Sequence, residues 1–273
     1  MDQRSKLCIV YSDGGVETDL SMEAQDFKRD PLSIQLTIDD FIYVGYRKPI
    51  NALYMHINTP NSIASTLSVE YYTAAGWAPL EVCDETNALS RSGFITWERQ
   101  TDGANITVAG KELCWFRIAS NDDLDAVEFQ AINLLFSDDN TICALDPALI
   151  DECYYPAGQT SHVLSHVAAK NYIMSQLRGQ GYVKSVDGVE ENINQWDILD
   201  IYELRDAANY YVISQIYFQL SDDPEDQYWA KYEEYRRKFD SAFALGRLRV
   251  DQNEDGQANS NEKRPIKTTR WAR

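Results

Sequence analysis

The sequence is short of cations and has no long apolar run. It also lacks the short motifs that mark the common catalytic folds. Its 25 Lys and Arg stand against 43 Asp and Glu, for a formal net charge of −18. That imbalance excludes a chain that coats nucleic acid through non-specific phosphate contacts. No stretch approaches the roughly 20 apolar residues that a membrane helix needs. The opening Met1-Asp2-Gln3-Arg4-Ser5-Lys6 leads into an apolar run too short for a signal peptide, so synthesis in the cytoplasm is expected. Five cysteines (Cys8, Cys83, Cys114, Cys143, Cys153) are odd in number and form no C-x-x-C pair, which fits a reduced chain better than a disulfide framework. There is no G-x-S-x-G, no G-x-G-x-x-G, no phosphate loop, and no cysteine with a convincing histidine partner. Carboxylates abound, but no pattern singles out a glycosidase-like pair. No catalytic residue is expected.

What is present is a globular composition, 44% hydrophobic and 12% aromatic over 273 residues, enough for two domains with a core each. After a short strand at 7–12 and the Asp13-Gly14-Gly15 turn, alternation at 33–38, 41–46, 51–57, 67–72, 94–97 and 113–118 predicts strands. Gly, Pro, Asn and Asp clusters separate them, and 129–136 is a last candidate. Short strands at this spacing predict an antiparallel β-sandwich over residues 1–140.

Beyond Asp138-Asp139-Asn140 the period changes. A helix is predicted over His162 to Arg178, stopped by Gly179-Gln180-Gly181, with a small hairpin at 182–192. Asp197 to Leu220 places Ile198, Ile201, Leu204, Ala208, Tyr211, Val212, Gln215 and Phe218 on one stripe, with Asp200, Glu203, Asp206 and Asn209 opposite. Ser221-Asp222-Asp223-Pro224 breaks it, and a second helix carries Tyr228, Trp229, Tyr232, Tyr235, Phe239 and Phe243. Together they predict an antiparallel helical hairpin. The expected class is α+β: the sandwich, then a helical bundle over 141–250, then a polar loop and basic C-terminal arm over 251–273.

Asp251 to Glu262 fits the calcium-loop pattern D-x-[DN]-x-[DN]-G-x5-E without a gap. Oxygen ligands would come from Asp251, Asn253, Asp255, the Gln257 carbonyl and Glu262, with Gly256 at the sharp turn. Ala258 is small for the loop's apolar anchor, and Lys263-Arg264-Pro265 is a poor exiting helix. The competing reading is therefore an acidic flexible linker, and any calcium would act as a structural clip. No cofactor is required. His162 and His166 have the i, i+4 spacing of two metal ligands, but Val163, Leu164 and Ser165 between them lack the acid of a zinc hydrolase. A packing or surface role is expected. Trp77, Trp97 and Trp115 could stack on sugar or fill a core, and core is the expectation.

Two groups of residues resemble parts of tailed-bacteriophage neck proteins. Asp39 to Leu53, Leu67 to Tyr72, Gly76-Trp77, Ser92 to Trp97 and Cys114 to Ile118 look like the small β-sandwich of phage neck and tail proteins. Ser165-His166, Leu177-Arg178, Trp196 to Leu199, Glu203 to Ala208, Ser221 to Asp223 and Leu248 to Asp251 are similar to head–tail adaptors, the head-completion proteins that ring the portal. The resemblance implies a structural virion subunit of the head–tail connector. It would form a dodecameric ring on the portal protein, contact a downstream neck or tail protein, and let genomic DNA pass without specific binding. It also implies a portal-docking arm, here Lys263, Arg264, Lys267, Arg270, Trp271 and Arg273. An acidic body suits a channel that DNA must slide through. No membrane partner is expected. The alternative is a carbohydrate-binding module on a helical oligomerisation stem in a tail or baseplate, distinguished by exposed, coplanar tryptophans.

Overall fold

A computed structural model describes residues 7–151, 154–156, 159–186, 188–245, 247–253 and 263–265. The chain is mixed α+β and divides into two compact units, Met1–Leu134 and Leu135–Arg273.

The first unit consists of antiparallel sheets. Its strands are β1 (Cys8–Asp13), β2 (Val16–Asp19), β3 (Leu32–Gln35), β4 (Phe41–Tyr46), β5 (Ala52–Thr59), β6 (Leu67–Thr73), β7 (Gly76–Leu80), β8 (Val82–Asp84), β9 (Gly93–Trp97), β10 (Asn105–Val108), β11 (Lys111–Ser120) and β12 (Ala126–Asn133). One sheet has seven strands in the order β2-β1-β4-β11-β6-β7, with β10 also on β11. Cys114 pairs with both Tyr46 and Asn105, and Phe116 with both Val44 and Tyr71, so β10 and β6 share the edge of β11 opposite β4. The other sheet runs β3-β12-β5-β9-β8.

Alternation explains the register. Ile42, Val44 and Tyr46 are fully buried, while Phe41 and Tyr43, on either side of Ile42, are half-buried. Ile9, Val44, Phe116 and Tyr71 form one cross-strand row over four strands. Phe116 from that row meets Trp97 of β9, ring centroids 5.1 Å apart. Gly14 and Gly15, at φ +52° and +87°, close the two-residue β1–β2 hairpin, which needs positive φ at both positions. Asn87, Ala88 and Leu89 follow one another in the left-handed region, and Asp84 accepts the Ala88 amide at 2.8 Å.

The second unit begins with α1 (Asp139–Leu145) and a 3-10 turn at Pro147–Ile150, then α2 (Val163–Gly179) and the β13 (Val183–Val186) to β14 (Val189–Asn192) hairpin. A 3-10 turn at Gln195–Asp197 precedes α3 (Tyr202–Leu220) and α4 (Gln227–Leu245). Strands β15 (Arg247–Arg249) and β16 (Lys263–Pro265) pair antiparallel. Asp138 caps α1 in a capping box with Thr141. Asp226 accepts the Trp229 amide at 2.6 Å at the start of α4. The core gathers Ile142, Leu149, Ala169, Val212, Ile213, Ile216, Tyr217 and Tyr235 from α1, the following turn, α2, α3 and α4.

Three expectations for the hairpin need correction. The first helix starts at Tyr202, not Asp197. Ile198 bridges Val250 and Leu199 donates its amide to the Arg249 carbonyl, so 198–199 serves as an extended neighbour of β15. Asn209, expected on the solvent face, is buried and accepts the Thr141 hydroxyl at 2.9 Å. Phe218, expected on the core stripe, is 48% exposed.

Candidate functional site

The densest polar arrangement in the second unit centres on Asp146. Its carboxylate caps the Pro147–Ile150 turn. Oδ2 accepts the hydroxyls of Tyr217 at 2.7 Å and Tyr235 at 3.3 Å and the ammonium of Lys231 at 3.3 Å. Lys231 also donates to the Tyr217 hydroxyl at 2.8 Å. Rings of Tyr228 and Tyr235 stack on Tyr217, each with centroids 6.1 Å away. Burial alone would raise the Asp146 carboxyl, but hydrogen bonds from Tyr217 and Lys231 outweigh it and hold the pKa below the usual carboxylate range. Burial and the same carboxylate push Tyr235 up to about 12. A phenol kept protonated beside a carboxylate kept ionised is a clasp between α3, α4 and the turn after α1.

A second cluster is wired in the order of a nucleophilic triad. The Ser137 hydroxyl lies 2.6 Å from His166 Nδ1, and His166 Nε2 lies 3.0 Å from Asp139 Oδ1. A working triad presents its hydroxyl to substrate. Here the exposure is reversed: Ser137 is fully buried, and Asp139 is the member that reaches solvent, its side chain 27% exposed. The cluster as placed keeps the serine away from solvent and ties the start of α1 to α2. Asp139 also accepts the His162 amide, at 3.1 and 3.2 Å. His162 and His166 are both buried, and among the described residues no group of three His, Cys, Asp or Glu is placed to hold a metal.

The three tryptophans of the first unit do not form a platform. Trp97 is 6% exposed and donates its indole N–H to the Ile50 carbonyl at 2.8 Å. Trp115 is 1% exposed. Trp77 is half-buried, tilted 52° to Tyr43 and edge-on to Tyr72. The Arg117 guanidinium sits 4.5 Å from the ring centres of both Trp77 and Phe41 and pairs with Glu70 at 2.6 Å.

Of the expected calcium ligands, Asp251 is fully buried and Asn253 exposed, while Asp255, Gln257 and Glu262 lie outside the described residues. Asp251 donates its amide to the Asp197 carbonyl at 2.8 Å, and the Gln252 carbonyl accepts the Ser185 amide at 2.8 Å. The strands β15 and β16 bracket this segment. Lys263 and Arg264 of the basic arm belong to β16, and Lys267, Arg270, Trp271 and Arg273 lie outside the described residues.

Near Asp251's anchor, Lys184 and Asp197 form an ion pair that no local spacing or motif announces. Their side chains are 1% and 0% exposed, and Lys184 Nζ lies 3.4 Å from the carboxylate. A groove of about 710 Å³ opens between α3 and α4, lined in part by Tyr202, Tyr210, Arg237 and Lys238. No helix among the described residues is long and apolar enough to cross a membrane. Set against known proteins, the chain matches no family model, and a search of curated proteins finds no match either.

Proposed function

We propose that this chain is a structural virion protein of a tailed phage, an adaptor subunit of the head–tail connector. In this reading it forms a ring below the portal. The two sheets of the first unit pack as a sandwich, and the second unit is the helical body of the adaptor, with the basic segment from Lys263 onward reaching the portal. The observation that carries the reading is the α3–α4 hairpin. Its interior is an aromatic stack locked on Asp146, α1 and α2 pack against it, and Phe218 at the end of α3 remains exposed. A packed hairpin with exposed aromatics at Tyr202 and Phe218 suits the head-to-tail interfaces from which rings are built. The burial of Trp97 and Trp115 counts against the glycan-binding alternative.

The test is the native mass of the purified chain, alone, with calcium, and with the portal protein of the same phage. Rings, or monomers that join a ring once portal is added, are expected. Monomers or trimers indifferent to portal would overturn the reading.

A further inference from the structure

The start of α2 buries two histidines against one carboxylate. His162 stands at the N-terminal cap of the helix and His166 one turn further in, each 1% exposed. Asp139, the first residue of α1, meets both. Its Oδ1 lies 3.0 Å from His166 Nε2, and its two oxygens accept the His162 amide at 3.1 and 3.2 Å. His166 Nδ1 faces the Ser137 hydroxyl at 2.6 Å, so this ring is satisfied at both nitrogens.

His162 is not. Both nitrogens of its ring are enclosed, and neither has a hydrogen-bond partner among the described residues. Buried polar atoms left in that condition are rare and costly. The ring packs on Tyr155, with centroids 4.7 Å apart and planes tilted by 42°. The titratable groups that face it are Asp139 from α1, His166 from α2 and Tyr155 from the segment before α2. The Leu149 carbonyl adds a weak pull towards the cation. Asp138, beside Asp139, is committed to the α1 cap.

Such a site suits a neutral imidazole and has no place for a charged one. An imidazolium carries two N–H donors, and the one carboxylate in reach already serves His166 and the His162 backbone. The positive end of the α2 dipole adds to the cost. Lys170 continues the same stripe one turn beyond His166. It is 8% exposed and makes no ion pair or hydrogen bond among the described residues, so it brings a further buried base and no acceptor. Water already reaches the Asp139 side chain, which is 27% exposed.

We propose that His162 is an acid-sensitive latch in the second unit. Uptake of one proton drives its ring from beside Tyr155 into water and frees the first turn of α2 from Asp139. The opening is local. Asp139 and Asp146 are both held below the ordinary carboxylate value of 3.8, so neither carboxylate is the trigger and the clasp between α3 and α4 stays closed through the same range. The latch is independent of the connector reading.

Hydrogen exchange of the full chain, followed by mass spectrometry and corrected for intrinsic rates, tests it. An exposed imidazole titrates near about 6.5, so between about pH 7.5 and about pH 5 the open form gains up to about thirtyfold over the closed one. The amides of Ser165 and His166, which bond the His162 carbonyl, should lose about ten- to thirtyfold of their protection, and those from Leu204 to Tyr217 in α3 should lose none. His162→Phe keeps a ring beside Tyr155 without a nitrogen and should stay protected at both pH values. If that variant does not fold, the imidazole resonances of the wild type decide, since the His162 titration and the loss of protection must share one midpoint. Protection unchanged at the acid end, protection lost together in α2 and α3, an equal loss in His162→Phe, or two different midpoints would each overturn the latch.

Discussion

The indole of Trp115 occupies the space where Gly45, its antiparallel partner across β4 and β11, would carry a side chain. A β-carbon on Gly45 would meet Cε3 and Cζ3 of that ring at 2.6 Å. The ring in turn donates its N–H to the Lys111 carbonyl at 3.2 Å, so it cannot swing away freely. Gly45→Ala is therefore expected to cost about 1–3 kcal/mol by overpacking, despite the entropy that alanine saves in the unfolded chain. Gly179→Ala is the control, because nothing lies within 4 Å of its β-carbon position and its φ is not positive. It should be neutral or stabilising by up to about 1 kcal/mol. Urea midpoints followed by tryptophan fluorescence would decide it, and equal midpoints for Gly45→Ala and wild type would contradict the packing argument.

Strands β4, β6 and β11 were legible because buried and part-exposed residues alternate along much of each, although Val44 to Tyr46 and Cys114 to Phe116 are buried in unbroken runs. Strand β2 was not, since Val16 to Asp19 are all exposed and carry no apolar period. Strand β7 includes Pro79, which argues against a strand, yet it is tolerated at the edge of the sheet. The α3 start was misread because Ile198 and Ile201 fall in phase with the helix stripe but are buried outside it. Asp146 was invisible for another reason: Tyr217, Lys231 and Tyr235 lie 71, 85 and 89 residues away, and no local spacing announces them.

Asp146 should make stability depend on acid. Its carboxyl is held below its ordinary value of 3.8, so its contribution is present in full above that value and disappears as the pH falls through the folded pKa. Asp146→Asn should lower Tm at neutral pH, and the gap from wild type should close at the acid end. A gap independent of pH would show that the charge is not what holds the clasp.

The same clasp should resist alkali. Tyr235 is raised from 10.0 to about 12, by burial first and Asp146 second. The folded state therefore binds its proton more tightly than the unfolded chain does. Its stabilisation is present below pH 10 and lost as the pH rises towards 12. Ultraviolet titration of wild type and Tyr235→Phe should differ by one late-ionising phenol, and an early one would refute the assignment.

Lys184 and Asp197 should be costly to separate. Lys184→Met leaves a fully buried carboxylate that still accepts the Asn194 amide at 2.7 Å but no longer faces the Lys184 ammonium. Loss of one partner of a buried pair typically costs about 3–5 kcal/mol. Asp197→Asn should be milder, because the amide oxygen can keep the cap. Thermal unfolding of the two variants would rank them, and the reverse order would mean that the cap matters more than the pair.

His162 supplies a pH dependence on the acid side of neutrality. The residue is 1% exposed, its ring centroid 4.7 Å from that of Tyr155. Burial lowers its pKa from 6.5. The Asp139 carboxylate pulls the other way without overcoming burial, and the neighbouring His166 adds to the lowering. A base with a depressed folded pKa binds its proton more readily once unfolded. Its stabilisation is thus present above pH 6.5 and lost as the pH falls through the folded value. Wild type should lose stability on acidification below 6.5, before the carboxylates titrate. His162→Phe should flatten that part of the curve, since the Asp139 contact is made by the backbone amide and survives the change. Imidazole resonances of the folded protein give the direct measurement: a His162 that titrates at or above 6.5 would remove the cause.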